Sequence, residues 1–465
     1  MTFRTALFTA GSLLALTAGA ASAEEAAGDW TGLLAGQYHV VLHVTKDAAG
    51  HYSATLESPD QGQFVLTADE VTTDPDHLGF TISKIGARYA GVWNTEKKGW
   101  VGTWNQGMNA PLVLTRMTSP VAQLAPPRRP QEAAIAKGTL PYISETVSFA
   151  NTAAPGVTLA GTFSRPAGAG PFPTVVLIAG SGPNDRDEDL MGHKLFLVLA
   201  DYLNRQGLAV LRYDKRGIGA STGNYASATT ADFTSDAEAA IAWLKTRADV
   251  DPKRIGVLGH SEGGLIAPAV AVADPSVRFV VLMAGPGLRG DAIFLEQIEL
   301  ISRANGATDA DIAKTQALTA RGFAVIEASR DVTDAKAKLE ANAARAISNG
   351  VLTREQADQN IAKVTDPWMY SFLRYDPVPT LRKVRVPVLA VGGSLDLQVE
   401  TKTNLPAIKT ALADDRDVTV VEMPGLNHLF QDAKTGSPNE YGAIDETLAP
   451  QALKTVGDWI VAHVF

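Results

Sequence analysis

Between residues 173 and 423 the chain alternates short, near-continuous apolar runs with longer stretches of helical pattern. The runs "TVVLIAG", "LAVLRYD", "RIGVLGH", "FVVLMAG", "VPVLAVGG" and "VTVVEMPG" are rich in β-branched residues and leave no polar side to face water. Strands of that kind must be covered on both faces, and "GHKLFLVLADYLNRQG", "DFTSDAEAAIAWLKTR" and "GGLIAPAVAVA" supply covering helices between them. The alternation predicts an α/β unit with a mostly parallel sheet over residues 142–465. After "FVVLMAG" it stops. Residues 290–375 read as helix only, rich in Ala, Lys, Glu and Arg, and are expected to form a helical cap at the carboxyl edge of the sheet, where open α/β sheets hold their ligands.

The chain before residue 142 has a different rhythm. Segments such as "QYHVVLHVT", "HYSATLES", "RYAGVWN" and "PLVLTRM" alternate apolar and polar residues and are broken by Gly, Asp and Pro, which predicts a small all-β domain, an antiparallel barrel, over residues 28–118. Trp30, Trp93, Trp100 and Trp104 fall within it, and in a small barrel tryptophans serve as core and rim packing more often than as ligand contacts. The proline-rich stretch of residues 119–141 then reads as a semi-rigid linker.

The first residues carry one positive charge at Arg4, an apolar run, and Ala21-Ser22-Ala23 ahead of Glu24 and Glu25. This is the pattern of a secretory signal peptide, residues 1–23, cleaved after Ala23, which places the mature protein in the periplasm or outside the cell. No later segment is apolar enough to span a membrane, so no membrane span is expected in the mature chain. With no cysteine, disulfides, thiolate nucleophiles and thiolate metal sites are excluded. A net charge of -9 with no basic cluster argues against nucleic acid as a partner and fits a small-molecule substrate.

The chemistry centres on "VLGHSEGGLI", residues 257–266. Ser261 follows a strand directly and precedes a helix, with Gly259 and Gly263 on either side. A strand-to-helix turn that sharp needs small flanking residues, and it lifts the serine hydroxyl to a helix N-terminus, where free N–H groups favour developing negative charge. A serine hydroxyl alone is a poor nucleophile, so a base and a residue that orients the base must follow. The strand "VPVLAVGGSLD" ends at Asp396, and "VTVVEMPG" runs into "LNHLF", which carries His428. Asp366 and Asp376 lie in or near the cap, and Asp414, Asp415 and Asp417 in a solvated turn, so Asp396 is the expected acid. Of the other histidines, His39, His43, His51 and His77 belong to the all-β segment and His463 to the last helix. His193 begins a helix, and His260 faces the sheet, which leaves His428 as the expected base. The catalytic set is thus Ser261, Asp396 and His428. The oxyanion of an attacked carbonyl needs two backbone donors, assigned to the N–H of Glu262 and of Ser181 in the loop "GSGPNDRDED", with Gly182 the alternative to Ser181. Arg186 and Asp187 in that loop are expected to form a local ion pair, and the Glu262 carboxylate to benefit from the helix N-terminus. No metal or organic cofactor is needed.

Together these residues resemble the α/β-hydrolase superfamily over about residues 145–465. "AGSGPNDRDED", "RYDKRGIGASTG" and "GHSEGG" are similar to the secreted esterase and serine-aminopeptidase-like branch, related to prolyl oligopeptidase and dienelactone hydrolase. "GDWTGLLAG" and "GWVGTWNQGMNAPLVLTR" resemble the lipocalin-like β-domain that precedes many secreted bacterial members. The resemblance implies an α/β-hydrolase fold and a serine hydrolase that cleaves carboxylic esters of short to medium acyl chains through an acyl-enzyme. The rivals are a serine exopeptidase or amidase of the prolyl oligopeptidase-like type and, from another class, a catalytically inactive ligand-binding protein.

Overall fold

The computed structural model describes residues 25–34, 38–58, 65–106, 109–117, 128–349 and 353–465. The expected signal peptide lies outside the described residues, and so does most of the first half of the linker. The chain divides into two compact units, the first ending at Val121 and the second running from Ala122 to Phe465.

The first unit is a nine-stranded antiparallel sheet of β1 (Gly28–Leu34), β2 (Tyr38–Lys46), β3 (Tyr52–Glu57), β4 (Val65–Thr67), β5 (Glu70–Thr73), β6 (His77–Ile82), β7 (Ala87–Asn94), β8 (Gly99–Asn105) and β9 (Asn109–Arg116). Its order is β4-β3-β2-β1-β9-β8-β7-β6-β5. Among the described residues no ladder joins β4 to β5, so the sheet is an incompletely closed barrel. Alternation along the strands sends Trp30, Leu42, Phe80, Tyr89, Trp100 and Leu114 inward, each at most 2% exposed. Trp93 sits opposite Trp100 on the neighbouring strand, and Trp30 packs edge-on against both, at ring separations of 6.0 and 5.8 Å. These tryptophans are core packing.

The second unit opens with α1 (Pro130–Lys137), where the sequence reads as linker. Low intrinsic apolarity hides this helix: it is fixed by side-chain bonds to the far end of the chain, with Gln131 Oε1 accepting the N–H groups of Thr447 and Leu448 at 2.7 and 3.0 Å. Next come β10 (Tyr142–Ala150), β11 (Thr158–Pro166), β12 (Phe172–Ile178), the two-residue strands β13 (Asp189–Leu190) and β14 (His193–Lys194), α2 (Leu195–Arg205), β15 (Ala209–Tyr213), α3 (Thr230–Leu244), β16 (Val250–His260), α4 (Gly263–Ala273) and β17 (Val277–Met283). Five helices follow without a strand, α5 (Gly290–Ala304), α6 (Asp309–Glu327), α7 (Val332–Ser348), α8 (Arg354–Val364) and α9 (Pro367–Arg374). The unit closes with α10 (Val378–Leu381), β18 (Val388–Gly393), α11 (Thr401–Ala411), β19 (Val418–Met423) and α12 (Pro450–Val464).

The main sheet has the order β10-β11-β15-β12-β16-β17-β18-β19. β10, β11 and β15 pair antiparallel and every later pair is parallel, which is an α/β-hydrolase arrangement. Both faces are buried, as the unbroken apolar runs require. Val176, Ile178, Val257 and Val280 join one core, while Val175, Leu177, Leu258 and Val281 join the other. Each such side chain contributes about 1.5–3 kcal/mol by leaving water. Helices α5–α9 carry a core of their own around Phe323, Ile326, Leu339 and Leu373. Among the described residues no helix is long and apolar enough to cross a membrane.

Candidate active site

β16 ends at His260 and α4 begins at Gly263, so the chain must reverse within two residues. Ser261 does so in the left-handed region, at φ 52°, which is strained for a residue with a side chain. The flanking glycines are needed sterically. A Cβ on Gly259 would lie 1.9 Å from the Gly263 carbonyl oxygen, and one on Gly263 would lie 2.1 Å from that of Ile178. The Ser261 N–H donates to the Met283 carbonyl at 2.9 Å, tying the turn to β17. Among the described residues nothing accepts a hydrogen bond from the N–H of Glu262, at the start of α4, or from that of Ser181, on the exposed loop after β12. The Gly182 N–H faces the Tyr225 hydroxyl. Gly180, one residue before Ser181, is pressed so close to the turn that a Cβ there would lie 3.0 Å from Ser261 Cβ.

Asp396 and His428 lie beyond the carboxyl ends of β18 and β19. Asp396 is fully buried, and its Oδ1 accepts the N–H groups of Gln398 and Val399, both at 2.8 Å. That leaves Oδ2 for His428, whose Nδ1–H donates to it at 2.8 Å. The His428 loop is a tight turn around Asn427, whose Oδ1 accepts the N–H groups of Leu429 and Gln431, each at 3.0 Å. No hydrogen bond joins the Ser261 hydroxyl to His428 in this structure. Catalytic hydrogen bonds of unliganded enzymes are commonly long and close on substrate.

His260 and Glu188, both buried, stand behind the serine. His260 Nδ1 is 3.0 Å from Glu188 Oε1, and its Nε2–H donates to the His428 carbonyl at 3.0 Å. Glu188 Oε1 also accepts the Gly180 N–H at 2.6 Å. Burial alone would lower the His260 pKa, but the charge and hydrogen bond of Glu188, the His428 carbonyl and the charge of Asp396 outweigh it and raise the pKa. His193, also buried, behaves oppositely: burial pushes it down to about 4.

Glu262 stands at the N-cap of α4. Its carboxylate makes no cap bond to α4. It is 1% exposed and fully engaged, with Lys215 Nζ at 3.1 Å, Thr230 Oγ1 at 2.7 Å and Trp368 Nε1 at 2.7 Å. Trp368 belongs to α9, so this bond brings the five-helix insertion to the carboxyl end of β16. Arg186 and Asp187 differ from expectation: neither pairs with the other. Arg186 forks onto Asp214, at 2.9 and 2.6 Å, and Asp187 pairs with Arg212, because the loop is held against β15 rather than against itself. Asp366 caps α9, accepting the N–H groups of Trp368 and Met369. Glu188, Lys215 and Trp368 carried no signal in the sequence, since their partners lie 72, 47 and 106 residues away. Among the described residues no group of three or more His, Asp or Glu is placed to hold a metal ion.

Residues 155–411, more than half of the chain, match the model of the X-Pro dipeptidyl-peptidase (S15) family. The chain is 26% identical over 307 residues to the esterase EstD of Thermotoga maritima, an alignment covering 65% of each protein and so just under two thirds of the relative's length. Among solved structures, it resembles a dienelactone hydrolase from Anabaena variabilis (16% identity, 69% of this chain and 96% of that one, TM-score 0.38). It also resembles an alpha/beta hydrolase from Penicillium sp. sh18 (17% identity, 69% and 99%, TM-score 0.43).

Proposed function

The chain belongs to the X-Pro dipeptidyl-peptidase (S15) family of hydrolases, and from that premise we propose that it is a serine hydrolase cleaving carboxylic esters of short to medium acyl chains through an acyl-enzyme. Ser261 Oγ attacks the ester carbonyl while His428 Nε2 takes its proton. The same nitrogen returns the proton to the leaving alcohol, and a water molecule then attacks the acyl-serine by the reverse sequence of proton transfers. Asp396 fixes the imidazole tautomer and stabilises the imidazolium. The N–H groups of Glu262 and Ser181 receive the oxyanion; Ser181 is preferred to Gly182, whose N–H is turned toward Tyr225. The observation that carries this reading is the buried Asp396–His428 pair at 2.8 Å, on the same sheet edge as a serine held at φ 52°. Mature protein would act in the periplasm or outside the cell, after loss of residues 1–23.

Ester substrates are favoured because the carboxylate next to Ser261 in sequence, Glu262, is buried and already engaged by three donors, which keeps it from a substrate ammonium group. The esterase named among the relatives points the same way. The family match favours a second reading, an exopeptidase acting on X-Pro peptides. Assaying mature protein on p-nitrophenyl esters of graded length and on aminoacyl and X-Pro p-nitroanilides side by side separates them. The ester reading expects kcat/KM to be higher on esters, and a higher value on an anilide would overturn it. Turnover that survives Ser261→Ala, or a fluorophosphonate that labels another serine, would overturn the mechanism itself.

A further inference from the structure

We infer that Glu188 and His260 form a second carboxylate–imidazolium couple, outside the triad, which ties the loop after β12 to the main chain of His428 and so sets the spacing between the oxyanion donors and the base. The inference rests on the triad reading above, and both residues are positioning residues that touch no substrate.

A carbonyl oxygen can only accept, so His260 Nε2 must carry a proton to bond the His428 carbonyl at 3.0 Å. Glu188 Oε1 accepts the Gly180 N–H at 2.6 Å and also faces His260 Nδ1 at 3.0 Å. Taking Oε1 as the acceptor from both neighbours, as inferred here, puts a proton on Nδ1 as well. With both ring nitrogens protonated, His260 is a cation. Three of the groups that face it retain the proton: Glu188 from the loop after β12, Asp396 from beyond β18, and the carbonyl of His428 from beyond β19. Of its two aromatic neighbours, the Phe430 ring 6.4 Å away is uncharged, and the His428 ring 5.0 Å away opposes the charge only while it is itself protonated. Two buried charges in contact cost desolvation that only good geometry and further hydrogen bonds offset; Oε1 of Glu188 takes both of the hydrogen bonds given above, while its buried Oε2 has no protein partner.

Position gives the couple its role. Glu188 holds the N–H of Gly180, and the next residue is Ser181. His260 precedes Ser261 and holds the carbonyl of His428 itself, with the two imidazole rings 5.0 Å apart. One carboxylate and one ring therefore span from the oxyanion loop, past the nucleophile, to the base, with each link one residue from a group proposed to act. Glu188 keeps this place at φ 50°, a strained backbone state that persists where surrounding contacts over-determine it.

The test uses mature protein with 15N-labelled histidine, with His260→Asn assigning the His260 signals. At pH 7 both ring nitrogens of His260 should show protonated shifts in the wild type, and Glu188→Gln, which keeps the shape and removes the charge, should convert the ring to a neutral one. In parallel, kcat per active site titrated with a fluorophosphonate should fall about 10- to 100-fold in Glu188→Gln and His260→Asn, with KM held within about twofold. A neutral His260 ring in the wild type would overturn the inference. So would variants that lose thermal stability or titratable sites while kcat per site stays unchanged, since that is what a merely structural pair would do. If His260→Asn fails to fold, Glu188→Gln carries both readouts. The nitrogen shifts report the couple directly, whereas the triad reading stands or falls on Ser261→Ala.

Discussion

Trp368 Nε1, on the last helix of the five-helix insertion, donates a 2.7 Å hydrogen bond to Oε1 of Glu262, the residue that follows Ser261. The other carboxylate oxygen faces Lys215, which lies in the loop after β15 and sits 4.2 Å above the Phe233 ring. One buried carboxylate thus joins the insertion, the sheet and the turn that carries Ser261. Its contribution should be visible mainly when it is broken, because a buried cation left without its partner is more costly than the intact pair is stabilising.

Glu262→Ala is therefore expected to destabilise the protein by about 3–5 kcal/mol, because Lys215 stays buried without its counter-charge. Adding Lys215→Met should recover most of that loss. Trp368→Phe keeps the ring packing on Phe372 and removes only the N–H donor, for about 1–3 kcal/mol. Urea unfolding of the four proteins checks the set, and a double variant as unstable as Glu262→Ala would contradict the argument.

The strained turn gives a second expectation. Ser261→Gly and Ser261→Ala should both be inactive, but the glycine variant should be the more stable by about 1 kcal/mol, since only glycine occupies φ 52° without a Cβ penalty. Gly259→Ala should go the other way, losing stability and about 100-fold in kcat, as its Cβ would meet the Gly263 carbonyl at 1.9 Å. Denaturant midpoints and ester turnover measured on the same preparations decide both.

His193 sets a pH dependence of stability. Its folded-state pKa is depressed to about 4 from an ordinary value of 6.5, so the unfolded chain binds the proton more readily. The stability it contributes is therefore fully present above pH 6.5 and is lost as pH falls from 6.5 toward 4, reaching about 3 kcal/mol in total. His193→Gln removes the titrating group, so the difference in unfolding free energy between wild type and variant should shift in the variant's favour between pH 7 and pH 4.5. A difference that stays constant over that window would show that His193 is not the group responsible.

What could be read from the chain beforehand was whatever depends on local pattern. Strands buried on both faces are announced by unbroken runs such as "VVLI" and "VVLM", and the elbow by glycines spaced two residues either side of Ser261. Asp396 and His428 stand at strand ends, where a serine hydrolase needs them. What stayed hidden depends on contacts distant in sequence. Glu188 is one of several acids in "NDRDED", and nothing local separates it from Asp185 or Asp189; only the fold brings His260 and the Gly180 N–H to it. The partners of Arg186 and Asp187 were missed for the same reason, since Asp214 and Arg212 arrive on the neighbouring strand.

The same blindness hid α1, and its docking fixes where the hydrolase unit begins. Besides the two N–H groups that Gln131 Oε1 accepts, Gln131 Nε2 donates to the Leu448 carbonyl at 2.9 Å, and Glu132 Oε1 accepts the Lys194 N–H at 2.9 Å. The Arg129 guanidinium donates to the carbonyls of Met191, Gly442 and Ile444, at 2.7, 3.1 and 3.1 Å. Met191 and Lys194 belong to the β13–β14 hairpin that leads from the loop after β12 into α2, so α1 braces that hairpin. A protein starting at Arg128 should accordingly be more stable than one starting at Pro141, by on the order of a few kcal/mol, after the cost of ordering the helix offsets part of its hydrogen bonding. Gln131→Ala in the longer protein should account for a sizeable share of the difference. Thermal unfolding of the three proteins tests this, and coincident midpoints for the two starting points would mean that α1 docks without stabilising the hydrolase unit.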